Sequence, residues 1–348
     1  MTPFAHTLTT WYRANKRDLP WRATQDPYPV WLSEIILQQT RVAQGLPYWQ
    51  KFMESFPQVG DLANAPEQEV LRLWQGLGYY SRARNLHAAA KYIHEELDDK
   101  FPSTYNEILK LKGVGPYTAA AIASICFDEP TPVVDGNVFR FAARYFGLEI
   151  DIASSGARAH FAATLQSHIA NRNPGQFNQA MMEYGARVCT PSPNCSACSF
   201  SQSCYAFSRN LQRTLPVKSK KVKVKDRNFH YLVFRYGTAY LVRLRGANDV
   251  WQGLYDFYLL EGDLGLEEIL HETKLLISPL GFTLERNTDG IKHVLTHQRI
   301  NAKFYELCLH QKPDKSVIQK LGLTLVSDQE IINLPKPQLI VKYLDRYK

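Results

Sequence analysis

The glycine-rich stretch Leu-Lys-Gly-Val-Gly-Pro-Tyr-Thr-Ala at residues 111–119 constrains the fold of this chain more than any other feature. Just before it, Thr104 and Glu107 lie three residues apart ahead of apolar residues, a capping-box pattern that predicts a helix start. Gly113 and Gly115 predict the end of that helix, since glycine adopts positive φ and leaves its backbone N–H accessible. The sequence therefore predicts a short helix that ends in a Gly-x-Gly turn.

A second helix is predicted directly after this turn. Pro116 suits the first turn of a helix, and the residues from Tyr117 to Phe127 continue it. Two helices joined in this way form a hairpin at residues 111–121, in which free N–H groups at Gly113 and Gly115 can bind a phosphate. The alternative is a helical corner without a ligand. The pattern is longer than an isolated Gly-x-Gly, which favours the phosphate site.

The composition limits the class of protein and its partners. A chain of 348 residues is long for one domain and favours two. The net charge of +8 and the pI of about 9.0 suit a polyanion, without distinguishing DNA, RNA and an anionic membrane surface. The longest apolar run, Ala119 to Phe127, is too short to span a bilayer, and no signal peptide is visible. Six cysteines without an export signal favour a reducing compartment and metal binding.

Four of the cysteines lie in one short segment with the spacing Cys-x5-Cys-x2-Cys-x5-Cys. Four thiolates this close together can hold a [4Fe–4S] cluster. Zinc is the alternative, although structural zinc sites usually contain two short cysteine pairs and this segment contains one. Cys126, in an apolar helix, and Cys308, in a predicted strand, are expected to be core residues. The four candidate ligands are Cys189, Cys195, Cys198 and Cys204.

Two further segments combine aromatic and polar residues. A helix is predicted from Trp31 to about Gln44, with Glu34 in its first turn, where a Glu usually faces water and interacts with the helix dipole. Residues 73–86 contain two glycines, two tyrosines and two arginines, which predict a tight turn. This turn is either a buried aromatic corner or a surface that inserts a side chain into a base stack and contacts phosphates.

The order of these segments resembles that of the helix-hairpin-helix DNA glycosylases. In that superfamily the hairpin is followed by a Gly/Pro-rich loop and an essential Asp; here the loop is residues 128–132 and the Asp is Asp135. Residues 31–40, Trp-Leu-Ser-Glu-Ile-Ile-Leu-Gln-Gln-Thr, resemble the catalytic helix of the MutY family of adenine DNA glycosylases, and the resemblance covers nearly the whole chain. It implies that Glu34 is the general acid and that Asp135 stabilises the sugar cation left by the departing base.

The resemblance implies roles for other residues as well. Tyr117 and Asn137 flank the catalytic pocket by family position. The side chains implied to line the adenine site are Trp21, Arg22 and Glu183. Those implied to lie next to the damaged guanine are Gln39 and Tyr79, which enter the duplex, and Leu37, which lies close to them.

The C-terminal part of the chain follows a different pattern. Residues 213–227 carry seven basic residues and one acidic residue, which predicts a solvated linker with a nonspecific attraction to DNA. Alternating residues then predict a hairpin of strands Phe229–Tyr236 and Thr238–Leu244 through Gly237, followed by a helix from Gly265 to Leu276. This part resembles the Nudix-like domain of adenine glycosylases. It lacks the carboxylate-rich Arg-Glu-x-x-Glu-Glu run that holds Mg²⁺, so we expect a recognition module.

Recognition of 8-oxoguanine is expected from Thr296 and His297. The family has Phe-Ser-His at this place, and the chain has Leu295-Thr296-His297, which keeps the hydroxyl and lacks the ring. 8-oxoguanine carries an N7–H donor where guanine has an acceptor, and a hydroxyl together with backbone groups could read that donor. The alternative is that Thr296 and His297 are ordinary polar strand residues.

Together these features predict an α + β multidomain protein. It comprises an all-helical helix-hairpin-helix glycosylase domain (1–212) with an iron–sulfur cluster loop (189–204), a basic linker (213–227) and an α/β Nudix-like domain (228–348). The expected function is monofunctional excision of adenine opposite 8-oxoguanine or G in double-stranded DNA. The expected cofactor is a [4Fe–4S] cluster. We expect a monomer of bacterial type in the cytoplasm, associated with the nucleoid and without a membrane partner.

Two alternative functions remain. A bifunctional glycosylase similar to endonuclease III would need a Lys at the position of Tyr117. A non-catalytic DNA-binding repair scaffold would not need Glu34 and Asp135, both of which are present.

Overall fold

The computed structural model describes residues 2–169, 173–219, 224–247, 249–278 and 280–347. The chain divides into two compact units, and neither is continuous in sequence. The first unit consists of Met1–Asn64 and Asn85–Lys220, and the second of Ala65–Arg84 and Lys221–Lys348.

The first unit is helical. Its helices are α1 (Pro3–Asn15), α2 (Pro27–Ile36), α3 (Val42–Ser55), α4 (Val59–Asn64), α6 (Ser81–Leu97, which begins in the second unit), α7 (Tyr105–Ile108), α8 (Pro116–Cys126), α9 (Gly136–Phe146), α10 (Ala157–Gln166), α11 (Pro174–Arg187) and α12 (Tyr205–Ser208). Short 3₁₀ turns cover Pro20–Arg22, Cys195–Ala197 and Ser201–Ser203.

The predicted hairpin is formed by α7 and α8. The capping box is confirmed, because the Thr104 hydroxyl accepts from the Glu107 backbone N–H and the Glu107 carboxylate accepts from the Thr104 N–H. Gly113 has φ +81°, as predicted for the turn. The expectation for Gly115 is wrong, since its φ is −100° and it is the extended N-cap of α8. Pro116 then opens α8 in the position that proline prefers.

The helix around Glu34 differs from the prediction at both ends. It begins at Pro27, where the Asp26 carboxylate accepts from the Tyr28 N–H, and it ends at Ile36. Gln39 has φ +59°, a left-handed conformation that cannot continue a helix. The next helix, α3, begins only at Val42. The predicted single helix to Gln44 is therefore two helices separated by a turn.

Helix α11 lies against α8 and α9, the two helices that flank the loop leading to Asp135. A Cβ at Gly175 would lie 2.7 Å from the Ile125 backbone of α8, and a Cβ at Gly185 would lie 2.6 Å from the Asn137 carbonyl oxygen of α9. Only glycine permits such approaches. The core beside them is strongly aromatic and includes Phe141, Tyr184 and Phe200. The start of α9 is therefore held closely by α11.

The second unit combines one mixed sheet with helices. Its strands are β1 (Lys225–Tyr236), β2 (Ala239–Leu244), β3 (Tyr255–Asp256), β4 (Tyr258–Glu261), β5 (Phe282–Asn287), β6 (Ile291–Val294), β7 (Gln298–Leu309) and β8 (Thr324–Val326). Its helices are α5 (Glu67–Leu73), α13 (Leu266–Ile277), α14 (Lys315–Leu321), α15 (Asp328–Asn333) and α16 (Gln338–Tyr347).

The sheet has the order β3-β2-β1-β7-β5, with β4 paired to β1, β6 to β7 and β8 to β2. The central pair β1 and β7 is parallel, with Phe229 opposite Ala302, and the other pairs are antiparallel. The predicted hairpin is confirmed, with Gly237 at φ +57° between β1 and β2. Leu232, Phe234 and Leu307 lie in its core.

The basic segment reaches into this sheet, because Lys225 and Arg227 belong to β1. Lys220, Lys221 and Lys223 of the same segment lie outside the described residues. Among the residues that the structure describes, we find no helix that is both long and apolar enough to cross a membrane.

Residues 65–84 join the C-terminal part of the second unit through hydrogen bonds distant in sequence. The Lys336 backbone N–H donates to Gln75 Oε1 at 3.0 Å, and the Tyr80 hydroxyl donates to the Lys336 carbonyl at 3.2 Å. Arg84 donates to the Gln252 carbonyl at 2.7 Å. These residues therefore complete the second unit, although in sequence they lie among the helices of the first.

Candidate active site

A cavity of about 520 Å³ in the first unit brings together eight of the site residues predicted from the sequence. Its volume is in the range of sites for small organic groups. Segments distant in the chain contribute to it: the 3₁₀ turn before α2, α2 itself, the start of α8, the start of α9 and α11. The predicted residues that line it are Trp21, Arg22, Glu34, Leu37, Tyr117, Asp135, Asn137 and Glu183.

Glu34 is a buried carboxyl group in this cavity. It projects from α2 with 8% of its surface exposed, and the Tyr117 hydroxyl donates a hydrogen bond to its Oε2 atom. Burial raises the pKa of Glu34 to about 7; the Tyr117 hydrogen bond opposes this rise, and the neighbouring Asp135 adds to it. Near neutral pH this carboxyl group is therefore poised to give up or to take a proton.

Asp135 is the N-cap of α9 and is held in one orientation. Its Oδ1 accepts from the Val138 backbone N–H at 2.6 Å, and its Oδ2 accepts from the Asn137 amide at 3.0 Å. Burial raises the pKa of Asp135, while these hydrogen bonds and the charge of Arg140 oppose the rise. The cavity thus contains a second carboxyl group that is buried but well supplied with donors.

A series of hydrogen bonds connects Asp135 with the cysteine segment, residues 189–204. Arg140 donates from Nη2 to the Asn137 side-chain oxygen at 2.9 Å and from Nε to the Cys189 carbonyl at 2.7 Å. Asn137 in turn holds Asp135. The position of Asp135 is thereby linked to the first residue of the cysteine segment.

Glu183 is a carboxylate enclosed by arginines at the cavity wall. It is 1% exposed, and it accepts from Arg17 at 2.7 and 2.6 Å and from Arg22 at 2.7 Å. Burial alone would raise the pKa of Glu183, but the two guanidinium groups outweigh it and lower the pKa to about 2. Arg17 was not predicted as a site residue. It lies in the same Arg-Asp-Leu-Pro-Trp-Arg run as Arg22, which was the available signal.

A buried amide that the sequence did not reveal fixes the loop before Asp135. Asn178 of α11 is fully buried; its Oδ1 accepts from the Val133 N–H at 3.0 Å. Its Nδ2 donates to the Ser124 hydroxyl and to the Thr131 carbonyl, both at 2.8 Å. Because Val133 is two residues from Asp135, Asn178 is positioned to support the carboxyl group.

The remaining predicted residues lie outside the cavity lining. Gln39 is exposed in the turn after α2, and Gly113 and Gly115 lie in the hairpin turn. In the second unit, Tyr79 is 45% exposed and its hydroxyl is hydrogen-bonded to the hydroxyl of exposed Thr296. His297 is exposed beside Thr296. Tyr79 and Thr296 are 217 positions apart in sequence, and the structure brings them together.

The four clustered cysteines line a second cavity in the first unit. Arg144 donates to Cys189 Sγ at 3.5 Å and to the carbonyls of Thr190 and Pro191. Within the described ranges, no three His, Cys, Asp or Glu side chains converge closely enough to hold a single metal ion. Four cysteine thiols lining one cavity are the type of donor set that an iron–sulfur cluster uses.

Comparison with known families matches both parts of the chain. Residues 32–166 match the family described as "HhH-GPD superfamily base excision DNA repair protein", and residues 230–346 match the NUDIX domain family. An adenine DNA glycosylase of Buchnera aphidicola subsp. Schizaphis graminum is 30% identical over 351 residues and covers 99% of each chain. The chain belongs to the adenine DNA glycosylase family. Human adenine DNA glycosylase is 43% identical over 225 residues, which are 62% of this chain and 41% of the human protein.

Solved structures of other glycosylases share the helical fold of this chain. A thermostable thymine-DNA glycosylase is 27% identical with a TM-score of 0.55, and covers 59% of this chain and 95% of its own. Endonuclease III, in a trapped covalent complex with DNA, is 20% identical with a TM-score of 0.52, and covers 60% and 95%. At that identity the second likeness concerns the fold alone. The predicted architecture, a helical glycosylase domain followed by a Nudix-like domain, is confirmed.

An adenine DNA glycosylase is a base-excision-repair hydrolase that cleaves the N-glycosyl bond of adenine. Such a reaction needs a proton for the leaving base and electrostatic stabilisation of the sugar cation. The cavity of about 520 Å³ contains Glu34, a carboxyl group whose pKa is raised to about 7, and Asp135, a carboxylate that accepts backbone and side-chain hydrogen bonds. These two groups suit this chemistry.

Proposed function

We propose that this chain removes adenine mispaired with 8-oxoguanine or G in double-stranded DNA, and that it does so without cutting the strand. The proposal is supported by the presence of Glu34 and Asp135 in one cavity, where the Tyr117 hydroxyl donates a hydrogen bond to Glu34. The target base must leave the helical stack to reach such a cavity.

Glu34 acts as the general acid. Adenine is a poor leaving group until a ring nitrogen is protonated, and a carboxylic acid can donate this proton near pH 7 only if its pKa is raised. Burial raises the pKa of Glu34 to about 7, which meets this requirement. The Tyr117 hydroxyl fixes the carboxyl group and limits the rise of its pKa.

Asp135 stabilises the sugar after the base leaves. The departing adenine leaves an oxocarbenium-like deoxyribose, and a carboxylate below the ring can stabilise it electrostatically or trap it covalently before water attacks. The donors at Val138 and Asn137 support the ionised form and fix its direction. Water then completes the hydrolysis and leaves an abasic site.

The adenine itself is held by Trp21, Arg22, Leu37 and Glu183. Two arginines keep Glu183 ionised, and the Glu183 carboxylate in turn fixes the Arg22 guanidinium at the cavity wall. Trp21 is buried at 6% exposure and offers an apolar face for the ring. Leu37 adds a further apolar contact at the cavity wall.

Catalysis is monofunctional because Tyr117 cannot form a Schiff base, which requires an amine. A bifunctional enzyme of the endonuclease III type would carry a lysine at this position. Borohydride reduction during turnover separates the two functions. We expect abasic sites without matching strand cleavage; strong covalent trapping with cleavage that keeps pace with excision would favour the bifunctional alternative. Weak trapping by another lysine, such as Lys112, remains compatible with the proposal.

The base opposite adenine is read by Tyr79, Thr296 and His297. The hydroxyls of Tyr79 and Thr296 are hydrogen-bonded and both side chains are exposed, which presents an aromatic ring and a hydroxyl on one surface. That surface can wedge into the duplex and accept the N7–H of 8-oxoguanine. Thr296→Val should reduce the preference for 8-oxoguanine over G by about 1–3 kcal/mol. An unchanged preference would contradict the assignment.

The DNA backbone is bound at the hairpin. The N–H groups of Gly113 and Gly115 at the start of α8 form a site for a phosphate, and the net charge of +8 adds nonspecific attraction. Binding to duplex DNA should therefore weaken steeply as salt is raised, because counterions are released on binding. Gly115→Pro would remove one N–H and should weaken binding to matched and mispaired duplexes alike.

A [4Fe–4S] cluster is held by Cys189, Cys195, Cys198 and Cys204. When bound, it would supply structural crosslinking of the segment that follows α11. Support comes from the four thiols that line one cavity and from the Arg144 guanidinium beside Cys189. Metal analysis of anaerobically purified protein should give four iron atoms per chain. Stoichiometric zinc without iron would establish the alternative.

The central test is excision by Glu34→Gln and Asp135→Asn on a duplex with adenine opposite 8-oxoguanine. Loss of general acid catalysis costs about 10²–10⁴-fold, and we expect losses of at least this size in single-turnover rate for both variants. Glu54→Gln, an exposed glutamate on α3, is the matched control and should keep the parent rate. Near-normal excision by both active-site variants would refute the proposed function.

A further inference from the structure

Tyr184 makes a contact with the cysteine segment that the family assignment does not require. It lies in α11, is fully buried, and its hydroxyl oxygen is 3.1 Å from Cys198 Sγ. A thiolate that binds iron carries no proton, so in the loaded protein the phenol is the donor and the sulfur the acceptor. The contact is therefore a hydrogen bond to one of the four proposed ligand sulfurs.

The ring of Tyr184 is held tightly enough to aim this hydroxyl. It stacks on Phe141 with ring centroids 4.7 Å apart and makes edge contacts with Trp11 at 4.6 Å and with Phe200 at 5.1 Å. The ring therefore cannot carry the hydroxyl oxygen away from Cys198 without disturbing three aromatic neighbours.

The backbone of the same residue holds another ligand. The Tyr184 carbonyl accepts from the Cys189 N–H at 2.9 Å, so Tyr184 contacts both the first and the third cysteine of the segment. The Phe200 N–H also points at Cys198 Sγ, at 3.5 Å. Cys198 is thus the ligand with a side-chain donor and a backbone donor at its sulfur.

Hydrogen bonds to ligand sulfurs are among the factors that set the reduction potential of an iron–sulfur cluster. Reduction adds negative charge to the sulfurs, and a donor stabilises the more negative state. We propose that Tyr184 tunes the iron–sulfur group, raising its reduction potential through the hydrogen bond to Cys198 and so slowing its oxidation. This inference rests on the proposed cluster.

The test is direct voltammetry of the DNA-bound holoprotein and of Tyr184→Phe, which keeps the ring and removes the donor. One electron passes between the electrode and the iron–sulfur group, and no bond is formed or broken. We expect the potential of Tyr184→Phe to be lower, with the equilibrium constant for reduction smaller by about threefold to tenfold; tenfold corresponds to about 59 mV. Loss of iron to ferricyanide should be faster by a similar factor.

Tyr145→Phe is the matched control. Tyr145 lies in α9 and contacts the same Phe200 ring, with the two ring centroids 5.2 Å apart. It should leave the potential unchanged. Pulsed electron–nuclear resonance of the paramagnetic state gives a second readout. The coupling of one exchangeable proton, that of the phenol, should be present in the parent and in Tyr145→Phe and lost in Tyr184→Phe, while the couplings of the Phe200 N–H and the Arg144 guanidinium remain. A merely structural role would not produce this change.

The outcomes separate this inference from the proposal on which it depends. Parent protein without iron would overturn the proposed cluster itself. Parent protein with four irons, but with the same potential and the same exchangeable proton in Tyr184→Phe, would overturn the role of Tyr184 alone. If Tyr184→Phe does not retain iron, 3-fluorotyrosine at position 184 replaces it. This residue is a stronger hydrogen-bond donor and should raise the reduction potential. An unchanged potential would refute the proposed role of the hydrogen bond.

Discussion

The hydrogen bond from Tyr117 to Glu34 makes a prediction about the pH dependence of excision. Glu34 can act as an acid only while it is protonated, so the excision rate should fall as pH rises through its pKa of about 7. The Tyr117 hydroxyl stabilises the ionised form and thereby lowers this pKa. Removing the hydroxyl in Tyr117→Phe should therefore raise the pKa of Glu34 and extend activity to higher pH.

The size of the change follows from the strength of the bond. A hydrogen bond to a charged group contributes about 1.5–3 kcal/mol, and one pKa unit corresponds to 1.36 kcal/mol. The alkaline limb should therefore move upward by about 1–2 pH units, from near pH 7 to about pH 8–9. The rate below pH 6 reports any separate loss of positioning, because Glu34 is protonated there in both proteins.

Single-turnover excision with enzyme in excess, measured between pH 5 and pH 10, tests this prediction without interference from product release. Tyr105→Phe is the control, because Tyr105 packs against the same apolar cluster as Tyr117 and is not among the described residues that line the cavity. An alkaline limb that stays in place or moves to lower pH in Tyr117→Phe would show that the hydroxyl does not stabilise the carboxylate.

Three further predictions concern stability and positioning. Glu34 is protonated up to about pH 7 in the folded chain but only to about pH 4.5 when unfolded, so the parent loses about 3 kcal/mol of stability between those values. Glu34→Gln should avoid this loss and be more stable than the parent at pH 8 but not at pH 4, as urea unfolding at both pH values will show. Arg22→Met should remove one donor from buried Glu183 and lower the free energy of unfolding, measured in urea, by about 1–3 kcal/mol. An unchanged free energy would show that Arg17 alone satisfies the carboxylate. Gly185→Ala should push on the Asn137 carbonyl at 2.6 Å and reduce the excision rate more than it raises KM; an unchanged rate would show that α9 can shift freely.

Local patterns in the sequence were sufficient for elements whose stabilising contacts are local. The Thr104–Glu107 capping box, the turn at Gly113 and the hairpin through Gly237 each depend on residues a few positions apart, and the structure contains all three. The turn at Gln39 was missed because the apolar spacing of α2 continues past Ile36. The left-handed backbone of Gln39, which no side-chain pattern announces, prevents the helix from continuing to Gln44.

The parts of the site that depend on distant residues could not be read from local patterns. Arg17 and Glu183 are 166 positions apart, and Tyr79 and Thr296 are 217 apart. The sequence pointed to Glu183, Tyr79 and Thr296 through resemblance to a family, but not to the partners that hold them. Asn178 gave no signal at all, because a single polar residue on a helix reveals neither its burial nor what it contacts.

Because the second unit consists of two separate segments of the chain, it cannot finish folding until both segments have been synthesised. Gln75 and Tyr80 emerge early from the ribosome, but their hydrogen bonds to Lys336 form only after a further 261 and 256 residues have been added. At roughly 5–20 residues per second, this delay is on the order of ten to fifty seconds. The second unit is therefore completed only after Lys336 has been added, and a protein shortened near residue 220 could never complete it. Point substitutions such as Thr296→Val, made in a chain that has finished folding, avoid this difficulty.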